Sequence, residues 1–245
     1  MRVLILGGHG HVARLVEPLL VSAGHTVDGL IRKAAQAPDV AAAGAVPVVA
    51  DLEQLDDEGV AEQLAGHDAV VWSAGAGGGD ARRTYAVDRD AAIRTIRMAE
   101  RARVRRFVMV SYLGAGFDHR VPETDSFFPY AESKAAADAE LRASKLDWTI
   151  LGPGALTEDA PVGRIECFPH AERGGIPTEF SERLTADEAG VSRADVAGVI
   201  AAALTQPRTI RRTVDFIGAR PGRGLPIAEA LGSAGVGELP ASGRA

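Results

Sequence analysis

Six short apolar runs, Arg2 to Leu6, Thr26 to Ile31, Ala45 to Ala50, Ala69 to Trp72, Phe107 to Val110 and Trp148 to Leu151, punctuate the first 151 residues, with longer segments of helical period between them. A chain that alternates in this way has few options. Strands separated by helices pair in parallel through crossover connections, so the pattern predicts repeated βαβ units around a parallel sheet. Most runs are rich in Val and Ile, as strands covered on both faces should be. The gap from Arg83 to Ala102 reads as a helix, because Ala92, Ile93, Ile96 and Ala99 fall at i, i+1, i+4 and i+7 on a cylinder otherwise dense in Arg, Asp and Glu. The expected class is α/β, a doubly wound parallel sheet in a single domain.

Past Leu151 the pattern loosens into a stretch rich in Gly, Pro and charge, followed by a helix near Arg193 to Leu204 and a strand near Thr213 to Ile217. That stretch is too short for a second domain and reads as a loop-rich cap over the sheet edge, where specificity usually resides. The end, "GSAGVGELPASGRA", is small and polar, and residues 235–245 are expected to fray. At 245 residues and 46% hydrophobic the chain has ample material for one core, while a net charge of -6 argues against nucleic acid or anionic lipid as the main partner. Cys167 is the single cysteine and has no partner for an internal disulfide. No apolar run approaches the length of a membrane span, and "MRVLILGGHG" is too short and too glycine-broken for a signal peptide. A cytoplasmic protein acting on a small molecule is expected, as a monomer or a homodimer.

The first strand runs directly into "GGHGHVA", in which Gly7, Gly10 and Ala13 form G-x-x-G-x-x-A at the entry to a helix. Glycine lets the backbone turn sharply and approach a pyrophosphate, and unpaired amides at the positive helix end attract its charge. Such turns also arise for steric reasons alone. Arg32 and Lys33, at the end of the second strand, stand where this kind of fold reads the adenosine ribose. Two cations there favour a 2'-phosphate, hence NADP rather than NAD, although a solvated charge pair would look the same. His9, His11 and Val12 are read as loop residues beside the phosphates rather than as metal ligands, because no Cys or paired acid accompanies the histidines. On this reading residues 1–151 form the nucleotide-binding core, and 152–234 the substrate side with the last core elements.

The sharpest signal is "YAESK", residues 130 to 134, opening a clear helix. Tyr130, Lys134, Ala137 and Leu141 recur at i, i+4, i+7 and i+11 and share one face. With only three lysines and three tyrosines in the chain, this spacing arises by chance about 0.04 times. A nearby ammonium stabilises phenolate over phenol, so the pair is expected to lower the tyrosine pKa and make Tyr130 an acid/base. A packed tyrosine beside a snorkelling lysine is the alternative. Ser111 ends the strand "RFVMVS" at the carboxyl edge of the sheet, where it could polarise a carbonyl or simply cap a turn.

Taken together these residues resemble the short-chain dehydrogenase/reductases, and within them the atypical, NAD(P)H-binding, NmrA-like branch. The likeness extends through "VADLEQ", "VVWSAGAG", "RRFVMVSYLGAG", "LDWTILGPGALTE", "VSRADVAGVIAAAL" and "PIAEAL". It implies that Asp51 and Leu52 lie near the adenine, that Ser73, Ala74 and Gly75 pass along the ribose and pyrophosphate, and that Pro153 and Gly154 border the nicotinamide. It further implies that Tyr130 is the acid/base, Lys134 the ribose anchor, and Ser111 the carbonyl partner. The chain departs from the pattern in having Gly152-Pro153-Gly154 where relatives have Arg-Pro-Gly, Asp88 where many carry a structural asparagine, and a longer gap between Ser111 and Tyr130. The resemblance implies an NADPH-dependent reductase of a carbonyl, quinone or flavin-like acceptor. A non-catalytic NADP(H) sensor and a sugar-nucleotide epimerase or dehydratase stand beside it as alternatives. The region from Leu156 to Gly190, which should meet the substrate, carries no recognisable chemical motif.

Overall fold

The fold follows the alternation in the sequence. The computed structural model describes residues 1–77, 79–171, 175 and 188–233. Its strands are β1 (Arg2–Leu6), β2 (Thr26–Ile31), β3 (Val46–Val49), β4 (Ala69–Trp72), β5 (Arg106–Val110), β6 (Asp147–Pro153), β7 (Ala155–Thr157), β8 (Arg164–Phe168), β9 (Gly190–Ser192), β10 (Arg212–Gly218) and β11 (Leu225–Pro226). The helices are α1 (Ala13–Ser22), α2 (Ala37–Ala42), α3 (Asp57–Leu64), α4 (Ala81–Thr84), α5 (Ala92–Arg101), α6 (Phe128–Ala143), α7 (Arg193–Thr205) and α8 (Ile227–Gly232).

Nine strands form one sheet in the order β11-β8-β10-β6-β5-β4-β1-β2-β3. From β3 to β10 every pairing is parallel, and β8 then runs antiparallel to both β10 and β11. The single-domain doubly wound sheet is therefore as expected. Alternate side chains feed two cores. Val3, Ile5, Val71, Val108 and Val214 pack on the side of α1 and α7, while Leu4, Leu6, Val70, Trp72, Phe107 and Met109 pack on the side of α3, α5 and α6. The chain goes to opposite sides of β1 after β1 and after β3, which opens a crevice at the carboxyl ends of β1 and β4.

Two stretches differ from the sequence reading. The predicted helix over Arg83 to Ala102 is interrupted by a π-helical turn, Tyr85–Ala91, which turns Asp88 inward until it is 2% exposed. The stretch after Leu151, read as loop, holds β7 and β9, which pair in parallel as a separate small sheet, and β8. β8 is hard to see because "RIECF" alternates charge with apolar residues; Ile165 and Phe168 are buried while Glu166 pairs with Arg220. The tail 235–245 lies outside the described residues. Among the described residues no helix is long and apolar enough to cross a membrane.

Candidate active site

The glycine turn is built for close approach. Gly7 has φ +85°, and a Cβ there would stand 2.7 Å from Ala74 Cα and 2.9 Å from the Ser73 carbonyl oxygen. The β1 and β4 loops thus touch backbone to backbone. Gly7 and Gly8 both donate to the Leu30 carbonyl, and Gly10 donates to the Gly7 carbonyl at 2.8 Å. No side chain caps α1 and its first turn carries no acid, leaving the positive helix end facing the crevice. This cradle fits a pyrophosphate.

On one side of it lies a cavity of about 270 Å³ lined by Gly7, His9, Gly10, Arg32, Asp51, Leu52 and Ser73 to Ala76. Arg32 is joined there by Arg83, whose guanidinium donates to Glu53 Oε1 at 2.9 and 3.2 Å, while Arg32 reaches the same oxygen at 3.4 Å. Lys33 is not in the lining; its backbone N–H donates to Gln36 Oε1 at 3.1 Å. His9 is held between Gln36, at 3.2 Å, and Asp39, at 2.7 Å, at the edge of the cavity.

On the other side the crevice widens to about 850 Å³, bordered by Gly10, His11, Val12, Ser73 to Ala76, Ser111, Tyr112, Phe127, Tyr130, Lys134, Pro153 and Gly154. The two cavities share Gly10 and the Ser73 to Ala76 wall. Tyr130 and Lys134 do fall on one face of α6, facing this space. Tyr130 packs against Phe127 and Tyr112 with ring centres 5.3 and 5.8 Å away. Lys134, only 1% exposed, donates from Nζ to the Val110 carbonyl. The π turn brings Asp88 beside it, and Asp88 Oδ2 accepts from the Ala76 amide at 2.9 Å. Ser111 lies within 2.6 Å of Asp138 Oδ2, one turn beyond Lys134.

The expected lowering of the Tyr130 pKa is not found. Burial, reinforced by the carboxyls of Asp88 and Asp138, holds the phenol above its ordinary range, and the Lys134 ammonium is engaged by a backbone carbonyl. Tyr130 is therefore a neutral phenol, which can give a proton. Burial also pushes Lys134 down, against Asp88 and Asp138, and pushes Asp88 up, against Lys134.

A family model described as NAD(P)H-binding matches residues 7–207, from the glycine turn to the end of α7. The chain belongs to this NAD(P)H-binding family. The uncharacterized sugar epimerase YhfK of Bacillus subtilis is 34% identical over 94% of this chain and 99% of its own length. A Bacillus halodurans structure named for an NAD-dependent epimerase/dehydratase superposes with a TM-score of 0.79 at 33% identity, covering 94% of this chain and 98% of that one. The oxidoreductase ylbE from Lactococcus lactis does so at 0.76 and 26% identity, covering 94% and 95%. The matched span of the family model contains every candidate site residue named from the sequence. Arg83, Glu53, Tyr112 and Asp138 were missed. Asp138 had a signal, being four residues past Lys134 on the face already assigned inward; Arg83 had none, since only the β4 loop brings it opposite Arg32.

Gly152 has a steric reason of its own. A Cβ there would lie 2.0 Å from Asp215 Oδ1, so the strand passes that carboxyl only as glycine. Asp215 is fully buried and pairs with His170 Nδ1 at 2.8 Å.

Proposed function

We propose that this chain is a reductase of the short-chain dehydrogenase/reductase type, taking NADPH in preference to NADH and reducing a small carbonyl, quinone or flavin-like acceptor. One observation carries the reading: the buried Lys134 and the neutral Tyr130 phenol line the same crevice as the glycine cradle. Gly7, Gly10 and the start of α1 would hold the pyrophosphate, Asp51 and Leu52 the adenine, Arg32 with Arg83 the 2'-phosphate, and Pro153 and Gly154 the nicotinamide edge. The bound nicotinamide supplies a hydride. Lys134 anchors the nearby ribose, Ser111 orients the acceptor carbonyl, and Tyr130 delivers the proton to its oxygen.

The test is NADPH oxidation by the purified protein against quinones, flavins, aldehydes and ketones, with Tyr130→Phe alongside and cofactor binding followed by fluorescence. General acid catalysis is worth about 100-fold or more, so Tyr130→Phe is expected to lose that much turnover while binding NADPH as before. Bound NADPH with no turnover by the unaltered protein favours the alternative of a redox sensor. The name of the B. subtilis relative favours sugar epimerisation as a second reading. Against it, the crevice carries Asp80, Glu123 and Asp125, and its Arg193 is held by Glu158 at 2.7 Å, a poor setting for a nucleotide diphosphate.

A further inference from the structure

Asp138 is fully buried and its one hydrogen bond joins Oδ2 and Ser111 Oγ; Oδ1, also buried, has no partner among the described residues. The 2.6 Å separation suits either direction of donation. If the carboxylate is ionised it can only accept, and the Ser111 proton is spent on it. If it is neutral it donates, and the Ser111 proton is free to point into the crevice.

Its surroundings decide between these. The Lys134 ammonium, one turn earlier on α6, donates to the Val110 carbonyl. Arg142, one turn later, donates to His170 Nε2 at 2.9 Å and to Thr213. A guanidinium has only donors, so His170 Nε2 accepts from Arg142, while His170 Nδ1 faces Asp215 Oδ2 at 2.8 Å. Two more carboxyls pack nearby, Asp88 across from Lys134 and Asp215 behind His170. No ion pair reaches Asp138 among the described residues. A buried carboxylate with one oxygen unpartnered is the costly form. Burial accordingly holds Asp138 above the usual carboxylate range, against Lys134, Arg142, the Ser111 hydrogen bond and His170.

We propose that Asp138 is a positioning residue: as a neutral carboxylic acid it donates to Ser111 Oγ and thereby aims the serine hydroxyl at the carbonyl oxygen of the acceptor. This rests on the reductase reading for the acceptor, and on geometry alone for the hydrogen bond. Asp138 keeps its proton throughout; the proton transferred to the acceptor is that of Tyr130. The same logic of a carboxylic acid kept neutral to act as a donor is known in other enzymes.

Two measurements on the full chain test it. The infrared difference spectrum of the unaltered protein minus Asp138→Asn at pH 7 should show the carbonyl stretch of a protonated carboxylic acid, shifted in Ser111→Ala. Turnover with NADPH and the best acceptor of the panel should survive in Asp138→Asn, whose amide can also donate to Ser111, to within about threefold. In Asp138→Ala kcat should fall about tenfold or more with KM little changed, as losing a donor to a positioned hydroxyl predicts. The alkaline limb of the kcat profile should lie at higher pH in Asp138→Asn than in the unaltered protein. A carboxylate band at pH 7, or an Asp138→Asn variant as slow as Asp138→Ala, overturns the proposal. If the unaltered protein reduces nothing, the reductase reading fails, and the infrared band alone decides whether Asp138 donates to Ser111.

Discussion

The Lys134 ammonium stands 5.9 Å from the centre of the Tyr130 ring and donates to the Val110 carbonyl rather than to the phenol. On the proposed reading it serves the reaction by holding the ribose rather than by bonding the phenol. Lys134→Met is expected to cut kcat at least tenfold and to weaken NADPH binding, as removal of a charge-assisted hydrogen bond does. Lys134→Arg should not restore it, because Lys134 is 1% exposed and a larger guanidinium does not fit the seat of a compact ammonium. Steady-state kinetics with a fluorescence titration checks both.

Arg32 and Arg83, which line the smaller cavity, approach one oxygen of Glu53. For a 2'-phosphate to enter, Glu53 must yield them. Arg83→Ala and Arg32→Ala should each weaken NADPH binding about tenfold or more and leave NADH within about twofold, the ratio expected from losing one charge-assisted contact. Glu53→Gln should tighten NADPH. Calorimetric titration with both cofactors measures this, and equal losses for NADPH and NADH would refute a phosphate clamp.

Glu17, on the inward face of α1, is fully buried, and neither carboxyl oxygen has a partner. Burial raises its pKa from 4.5 to about 8, against Arg14. The folded protein thus holds a proton that the unfolded chain releases above pH 4.5, so stability is full below that pH and falls as pH rises toward 8. The slope is about 1.4 kcal/mol per pH unit, a few kcal/mol over the whole range. Glu17→Gln should remove this loss, and its advantage in urea unfolding should grow from pH 5 to pH 8 and then level off. A difference independent of pH would contradict it.

Gly7→Ala should weaken cofactor binding more than it weakens the fold. The added Cβ meets β4-loop backbone at 2.7 Å and demands an unfavourable φ, which costs about 1–3 kcal/mol. Parting the two loops would also widen the pyrophosphate cradle. Thermal unfolding with and without NADPH should show a modest drop in Tm and a larger loss of the shift that NADPH produces.

The parallel core was legible because strands buried on both faces must be continuous apolar runs: β1, β2 and β4 match their predicted limits residue for residue. β8 was not legible, since a short strand in which charged and apolar residues alternate reads like loop. Periodicity also located Tyr130 and Lys134 on their shared face. It could not foresee the π turn that buries Asp88, which is a departure from helical period, or the meeting of Arg32 with Arg83 across 51 residues. Nor could it give the protonation of Tyr130, which is set by burial, by Asp88 from another segment and by Asp138 two turns along the same helix.

Along α6, Tyr130, Lys134, Asp138 and Arg142 form one row at four-residue intervals, spanning about 18 Å of helix. Each has a different polar or aromatic neighbour, and the middle of the row, Lys134 and Asp138, is buried. An apolar stripe can slide or roll against a sheet at small cost; four unlike groups, each matched to its own seat, cannot. α6 is keyed to one rotation and one axial position, so a single inserted residue within it should disengage all four together, whereas insertions in the loop ahead of Phe128 leave the key intact.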